Sequence, residues 1–232
     1  MTVSAHLNAL GVNSEHILEQ LPNTLTLSIA DGVLFLQDKE NLKLKATVDF
    51  LKGRLAYRSQ QHINGENLVK ACRIKGQTNV RVLDATCGFG KDAFLLSCAG
   101  FDVTATESNP VVYTLLQDAL QRYLIETGQT PFKLHLNLAQ KLTPTQWPQV
   151  IYLDPMFPER EKTAAVKKDM QLFHRLHGLH AQEIDNLFRW ALDHAEQKVV
   201  IKRPVRSKIV NNLKPTYQIT GKSCRFDVYQ CN

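Results

Sequence analysis

A strand that runs into a glycine-containing turn and on into a helix leaves few folds open, and residues 80–96 read in that way. Val80-Arg81-Val82-Leu83-Asp84 is a short apolar run ending in an acid. Ala85-Thr86-Cys87-Gly88-Phe89-Gly90 follows as a loop, and Lys91-Asp92-Ala93-Phe94-Leu95-Leu96 then takes up a helical pattern. Gly88 and Gly90 let the backbone turn sharply and approach a ligand closely, with the N–H groups of a helix start behind them. Phe101–Thr106 forms a second strand-like run ending in Glu107, 23 positions beyond Asp84. An acid at that point is placed to accept hydrogen bonds from ribose hydroxyls, as in nucleotide-binding α/β folds.

The alternation continues to the C-terminus. Strands are predicted at 80–84, 101–106, 132–136, 150–153 and 198–203, and helices at 91–99, 109–127 and 181–196. This order implies an α/β fold, with a parallel sheet, right-handed crossovers and ligand loops along one sheet edge. Gln218–Thr220 and Cys224–Tyr229 read as a terminal hairpin about Gly221-Lys222-Ser223. Residues 1–76 form a separate α+β extension ahead of a main domain at 77–232. In it the patterns predict a helix at Ala5–Leu10 and another at Gly65–Cys72. Strands are predicted at Leu25–Ile29, Val33–Leu36, Leu42–Leu44 and Thr47–Phe50, with a hairpin at Asp31-Gly32.

Asp154-Pro155-Met156-Phe157 directly follows the apolar run Val150-Ile151-Tyr152-Leu153 and so lies at the open mouth of a strand. An acid, a proline, a variable residue and an aromatic in this order resemble the Asp/Asn-Pro-Pro-Tyr/Phe signature of amino-methyltransferases. Asp154 and the Pro155 carbonyl can accept hydrogen bonds from an NH2 group, and Phe157 offers a flat face to a planar base. Alone, the tetrapeptide could be only a strand-ending turn, with proline stopping the ladder and the acid capping it. Gly88-x-Gly90-x-x-Ala93 also fits a loose dinucleotide fingerprint, which keeps a nicotinamide or flavin enzyme in view. Asp84 before the glycines, Glu107 after the second strand and Asp154 after a later one together favour S-adenosylmethionine. A terminal antiparallel hairpin on a parallel sheet is the Rossmann-like architecture of the enzymes that use it.

Composition narrows the setting. With 44% hydrophobic and 22% charged residues, a chain of 232 residues suits a folded domain with one substantial core. No run approaches the ~20 apolar residues of a membrane span, and the N-terminus lacks a signal-peptide pattern, so a cytoplasmic protein with no membrane contact is expected. Cys72, Cys87, Cys98, Cys224 and Cys231 have no Cys-x-x-Cys spacing and read as reduced, small packing residues, Cys87 included. His174, His177 and His180 are spaced by threes, which drift around a helix, and no metal site is expected.

The net charge of +6 is unevenly spread. Residues 80–157 carry five Lys/Arg against seven acids, whereas 158–232 carry fourteen against eight. Lys198 to Phe226 contains eight basic residues, Lys202, Arg203 and Arg206 among them, and no acid. Lys43, Lys45, Lys52, Arg54 and Arg58 form a second cluster. Basic flanks around an acidic centre suit a polyphosphate partner, since each neutralised phosphate releases condensed counterions. A merely solvated surface is the alternative that charge alone leaves open.

Taken together, Asp84–Phe94, Glu107–Val112, Tyr152–Pro158, Val166–Met170, Val200–Pro204 and Arg225–Tyr229 resemble the bacterial small-subunit ribosomal RNA guanine-N2 methyltransferases of the RsmJ type, over about residues 45 to 230. The resemblance implies transfer of a methyl group from S-adenosylmethionine to the exocyclic N2 of a guanine in 16S rRNA, free or in the 30S particle, by a monomer or weak dimer. By motif matching it also implies that Lys91, Asp92, Glu107, Ser108, Asn137 and Asp154 line the cofactor pocket, with Asp154, Pro155 and Phe157 at the target base. Cys87, Phe89 and Lys91 stand where family members often carry Ala, Leu and Arg. A methyltransferase acting on adenine-N6 or on a protein glutamine, and a non-catalytic RNA-binding module on the same fold, remain as alternatives.

Overall fold

A computed structural model describes residues 1–155, 171–172, 175–176 and 181–231. Phe157, the histidine triplet at 174, 177 and 180, and the 166–170 segment lie outside the described residues. Contacts divide the chain into two compact units, and neither is a continuous stretch. The division does not coincide with a boundary at residue 76, because Ser108–Thr130 groups with the N-terminal residues and Lys52–Glu107 groups with the large sheet.

The larger unit is built on seven strands: β4 (Arg81–Asp84), β5 (Asp102–Glu107), β6 (Lys133–Leu136), β7 (Val150–Leu153), β8 (Lys198–Pro204), β9 (Tyr217–Thr220) and β10 (Cys224–Gln230). Their order is β6-β5-β4-β7-β8-β10-β9. The first five are mutually parallel, and β10 lies antiparallel between β8 and β9. The sheet order reverses between β4 and β7, the place where open α/β sheets hold their ligands. Val150, Ile151, Tyr152 and Leu153 are all buried, as a central parallel strand covered on both faces requires. The core against them includes Leu83, Phe188, Ala191, Val199, Ile201 and Tyr229. Helices α3 (Gly53–Gln60), α4 (Asn67–Cys72), α5 (Lys91–Cys98) and α7 (Ala181–His194) belong to the same unit.

The smaller unit holds helices α1 (Val3–Ala9) and α2 (Ser14–Glu19), an antiparallel sheet of β1 (Leu25–Ala30), β2 (Val33–Asp38) and β3 (Lys45–Ala46), and helix α6 (Pro110–Thr127). The predicted hairpin is present: Ala30 pairs with Val33 across Asp31 and Gly32, whose φ values of 51° and 75° are those of a type I′ turn. The strands expected at Leu42–Leu44 and Thr47–Phe50 do not form. Asp38 Oδ1 accepts from Glu40 N and Asn41 N at 2.8 and 2.6 Å, and Asp49 Oδ1 accepts from Leu51 N at 2.8 Å. These local bonds draw the backbone into turns and leave only the two residues of β3 for the ladder. Helix α6 begins where its sequence says it should. The Asn109 side chain accepts from Val111 N and Val112 N, Pro110 opens the first turn, and Gly128 ends the helix at φ 71°.

Candidate active site

The glycine turn leaves β4 at Asp84, which is 1% exposed and accepts from Thr86 N at 3.2 Å. Burial, followed by the negative charge of Asp92, pushes the Asp84 carboxyl well above its ordinary range. Gly88 and Gly90 both take positive φ, at 53° and 69°, and Gly90 forms the N-cap of α5. The turn is tied to the next strand twice: Cys87 N donates to Thr106 O at 3.1 Å, and Gly88 N donates to Glu107 Oε2 at 3.0 Å. Glu107 thus ends β5 beside the turn, as its spacing from Asp84 predicts. Asn137 joins it from beyond β6, donating its backbone N–H to Glu107 O at 3.0 Å. Ser108 and Lys91 are exposed, and the Lys91 ammonium lies 5.6 Å from the centre of the Phe89 ring.

Parallel pairing of Leu153 with Ile201 brings residues 154 and 202 alongside one another at the strand ends. Lys202 Nζ donates to Asp154 Oδ2 and to Asp92 Oδ2, each at 2.7 Å. Asp92 Oδ2 also accepts from the hydroxyl of the fully buried Tyr152 at 2.6 Å, and Asp154 N donates to Thr86 Oγ1 at 2.6 Å. Pro155 is buried. Burial tends to raise the Asp92 carboxyl, but the charge and bond of Lys202, the Tyr152 hydroxyl and the Arg58 guanidinium outweigh it and hold it below the usual range. Asp154 moves the other way: burial raises it, Lys202 opposes, and Asp92 adds to the rise. Burial alone would lower the Lys202 ammonium, yet its two carboxylates raise it.

Lys202, expected from sequence on a phosphate-gripping surface, therefore belongs to the floor of this site. A lysine inside an otherwise buried strand is the signal for that, since such a charge needs partners. Arg203 is also displaced from its expected role: it is 8% exposed and donates to Ser207 Oγ at 3.1 Å and Lys208 O at 2.7 Å. Strand alternation turns adjacent side chains to opposite faces, so consecutive basic residues cannot both line one surface. Arg206, Lys43, Lys45 and Arg54 are exposed, and Lys45 caps the Phe35 ring at 4.7 Å. Arg58 forks onto Glu66, at 3.1 Å from Nε and 3.0 Å from Nη2. Thr86 and Tyr152 escaped the sequence reading because each looks like ordinary loop or core. Cys87 is 7% exposed and burial drives its thiol well up, so it packs as a neutral side chain.

The SAM-dependent methyltransferase family model matches residues 13–231. The ribosomal RNA small subunit methyltransferase J of Pseudomonas fluorescens is 37% identical, over 97% of this chain and 94% of its own length. That of Thioalkalivibrio sulfidiphilus is 42% identical over 78% of this chain and 74% of its own. The chain belongs to the ribosomal RNA small subunit methyltransferase J family. Among solved structures, a SAM-dependent methyltransferase of Neisseria gonorrhoeae superposes with a TM-score of 0.73 at 32% identity, over 98% of this chain and 90% of that one.

S-adenosylmethionine is the cofactor of this family, and the donor set fits it. Glu107 and Asn137 stand together at the ends of β5 and β6, where a ribose needs acceptors, and the glycine turn is bonded to Glu107 beside them. Asp92 and Asp154 outnumber the single Lys202 charge between them, a balance that suits a sulfonium cation. Among the described residues no group of three or more metal-ligating side chains occurs, and no helix is long and apolar enough to cross a membrane.

Proposed function

We propose that the protein methylates the exocyclic N2 of a guanine in small-subunit ribosomal RNA. The observation that carries this reading is the placement of Asp154 and Pro155 at the open end of β7, beside the glycine turn and Glu107. S-adenosylmethionine supplies, when bound, an electrophilic methyl on sulfur, and its transfer leaves one proton to be lost from the amine. The chain's part is orientation. An arylamine lone pair is delocalised into the ring, so Asp154 and the Pro155 carbonyl accept from the two N–H bonds and turn the lone pair toward the methyl. Phe157, outside the described residues, stacks on the extruded base in this reading. Asp84, Gly88, Gly90, Lys91, Asp92, Glu107, Ser108 and Asn137 hold the cofactor. Exposed Lys43, Lys45, Arg54 and Arg206 supply phosphate contacts. The same reading makes the protein a cytoplasmic monomer or weak dimer that acts on rRNA within the 30S particle or before its assembly.

Methyl transfer from labelled S-adenosylmethionine to rRNA and 30S particles lacking the modification, followed by nucleoside analysis, tests this. N2-methylguanosine is the expected product. Label in N6-methyladenosine, or in no nucleoside, overturns the proposal.

A further inference from the structure

Lys202 bridges two carboxylates of the proposed site. It stands in β8, where Val199, Val200 and Ile201 before it and Arg203 after it are buried. Its side chain is 26% exposed, against 19% for Asp92 and 37% for Asp154, so the ammonium is sunk between them. The two contacts are not equivalent. Asp92 Oδ2 is anchored further by Tyr152, a buried residue of β7, whereas Asp154 Oδ2 is held by Lys202 and its backbone by Thr86. Among the described residues, Asp154 Oδ1 makes no such bond.

We propose that Lys202 is a positioning residue for methyl transfer, holding Asp154 Oδ2 so that Oδ1 is presented to the target amine. The proposal rests on the reading of Asp154 as the amine's acceptor. It also accounts for why a lysine is needed in a pocket that must receive a sulfonium. Without it, Asp92 and Asp154 would repel one another, and one would take up a proton and present a donor to the amine where an acceptor is required. Tyr152 and Asp92 fix the ammonium, and the ammonium fixes Asp154. The carboxylates take two of the ammonium's three N–H bonds at 2.7 Å, and their negative charges beside it disfavour a phosphate there.

Lys202→Met tests this, with Lys202→Arg as the variant that keeps the charge. The groups acting on Asp154 are Lys202 from β8, Asp92 from α5, Asp84 from β4 and Tyr152 from its own strand. Lys202 is the one that favours its ionised form. Its loss should therefore move the acid limb of the kcat profile upward by about one pH unit or more and lower kcat by ~10²-fold. The affinity for RNA and its salt dependence should stay as in the parent. Lys202→Arg should hold the acid limb near its parent position. Carbon-13 NMR of labelled aspartate reads the Asp154 titration without any turnover, and its midpoint should rise in Lys202→Met. An unmoved midpoint overturns the proposal, and so does a kcat profile lowered evenly at all pH or a salt slope smaller by about one. Parent enzyme that fails to methylate rRNA refutes the functional reading alone, because the NMR titration still decides the role of Lys202.

Discussion

In the proposed function Asp154 acts as an acceptor, and its neighbours pull its protonation in opposite directions. Burial and Asp92 raise its pKa while Lys202 lowers it, so the ionised form, which is the useful one, prevails above a raised midpoint and is lost as the pH falls through it. Turnover should accordingly fall on the acid side at a higher pH than for an ordinary aspartate, read as the acid limb of a kcat profile. Asp154→Ala should lower kcat by ~10²-fold or more, since in the proposed function it removes an oriented group from the reacting centre. The change should leave the fold intact, as the Asp154 side chain is 37% exposed. Cys87→Ala should be mild in rate: the thiol is buried and neutral, and only its packing is lost. Inactivation by Cys87→Ala at unchanged stability, alongside an active Asp154→Ala, would reverse the assignment.

Helix α6 shows how an element can be specified locally and recruited globally. Its caps, Asn109, Pro110 and Gly128, are all legible in the sequence, but its allegiance is set by a buried charge. Asp118 is 1% exposed; it meets His6 Nε2 at 2.7 Å and accepts from Arg122 Nε at 2.9 Å, and Arg122 also donates to Val48 O at 2.5 Å. Asp118→Ala would strand both partners, and breaking a buried ion pair typically costs about 3–5 kcal/mol. A clear drop in the urea midpoint is expected, and Arg122→Ala should lower it as well, because it leaves the 1%-exposed Asp118 carboxylate without its cation. Helix α3 carries exposed basic and aromatic side chains. Arg54 and Tyr57 are exposed on it, Tyr57 at 65%, while the Arg58 charge reaches Asp92. Arg54→Glu should weaken RNA binding across sequences and reduce the salt slope of log K by about one or more, leaving cofactor affinity unchanged. By contrast Arg203→Glu should unfold the protein before it informs on RNA, since it buries a carboxylate beside the end of β8.

At the scale of the whole molecule, the seven-stranded sheet places Asp84, Glu107, Asn137 and Asp154 at the C-terminal ends of four parallel strands or just beyond them. Calorimetric titration should give S-adenosylhomocysteine binding and no NAD binding; micromolar NAD affinity with no S-adenosylhomocysteine signal would contradict the family assignment. The positions along the chain of the main strands and of the glycine turn follow from the sequence, because short apolar runs and residues demanding positive φ are local properties of the chain. So does the hairpin at Asp31-Gly32. What the sequence did not determine is every feature that depends on two distant segments meeting. The pairing of Lys202 with Asp92 and Asp154 joins residues 110 and 48 positions apart, and the His6–Asp118 contact spans 112. Charge counted along the chain placed Lys202 and Arg203 on one basic surface; the pleat of β8 and the register with β7 separated them, because a side chain's partners are fixed by the strand beside it and not by its neighbours in sequence.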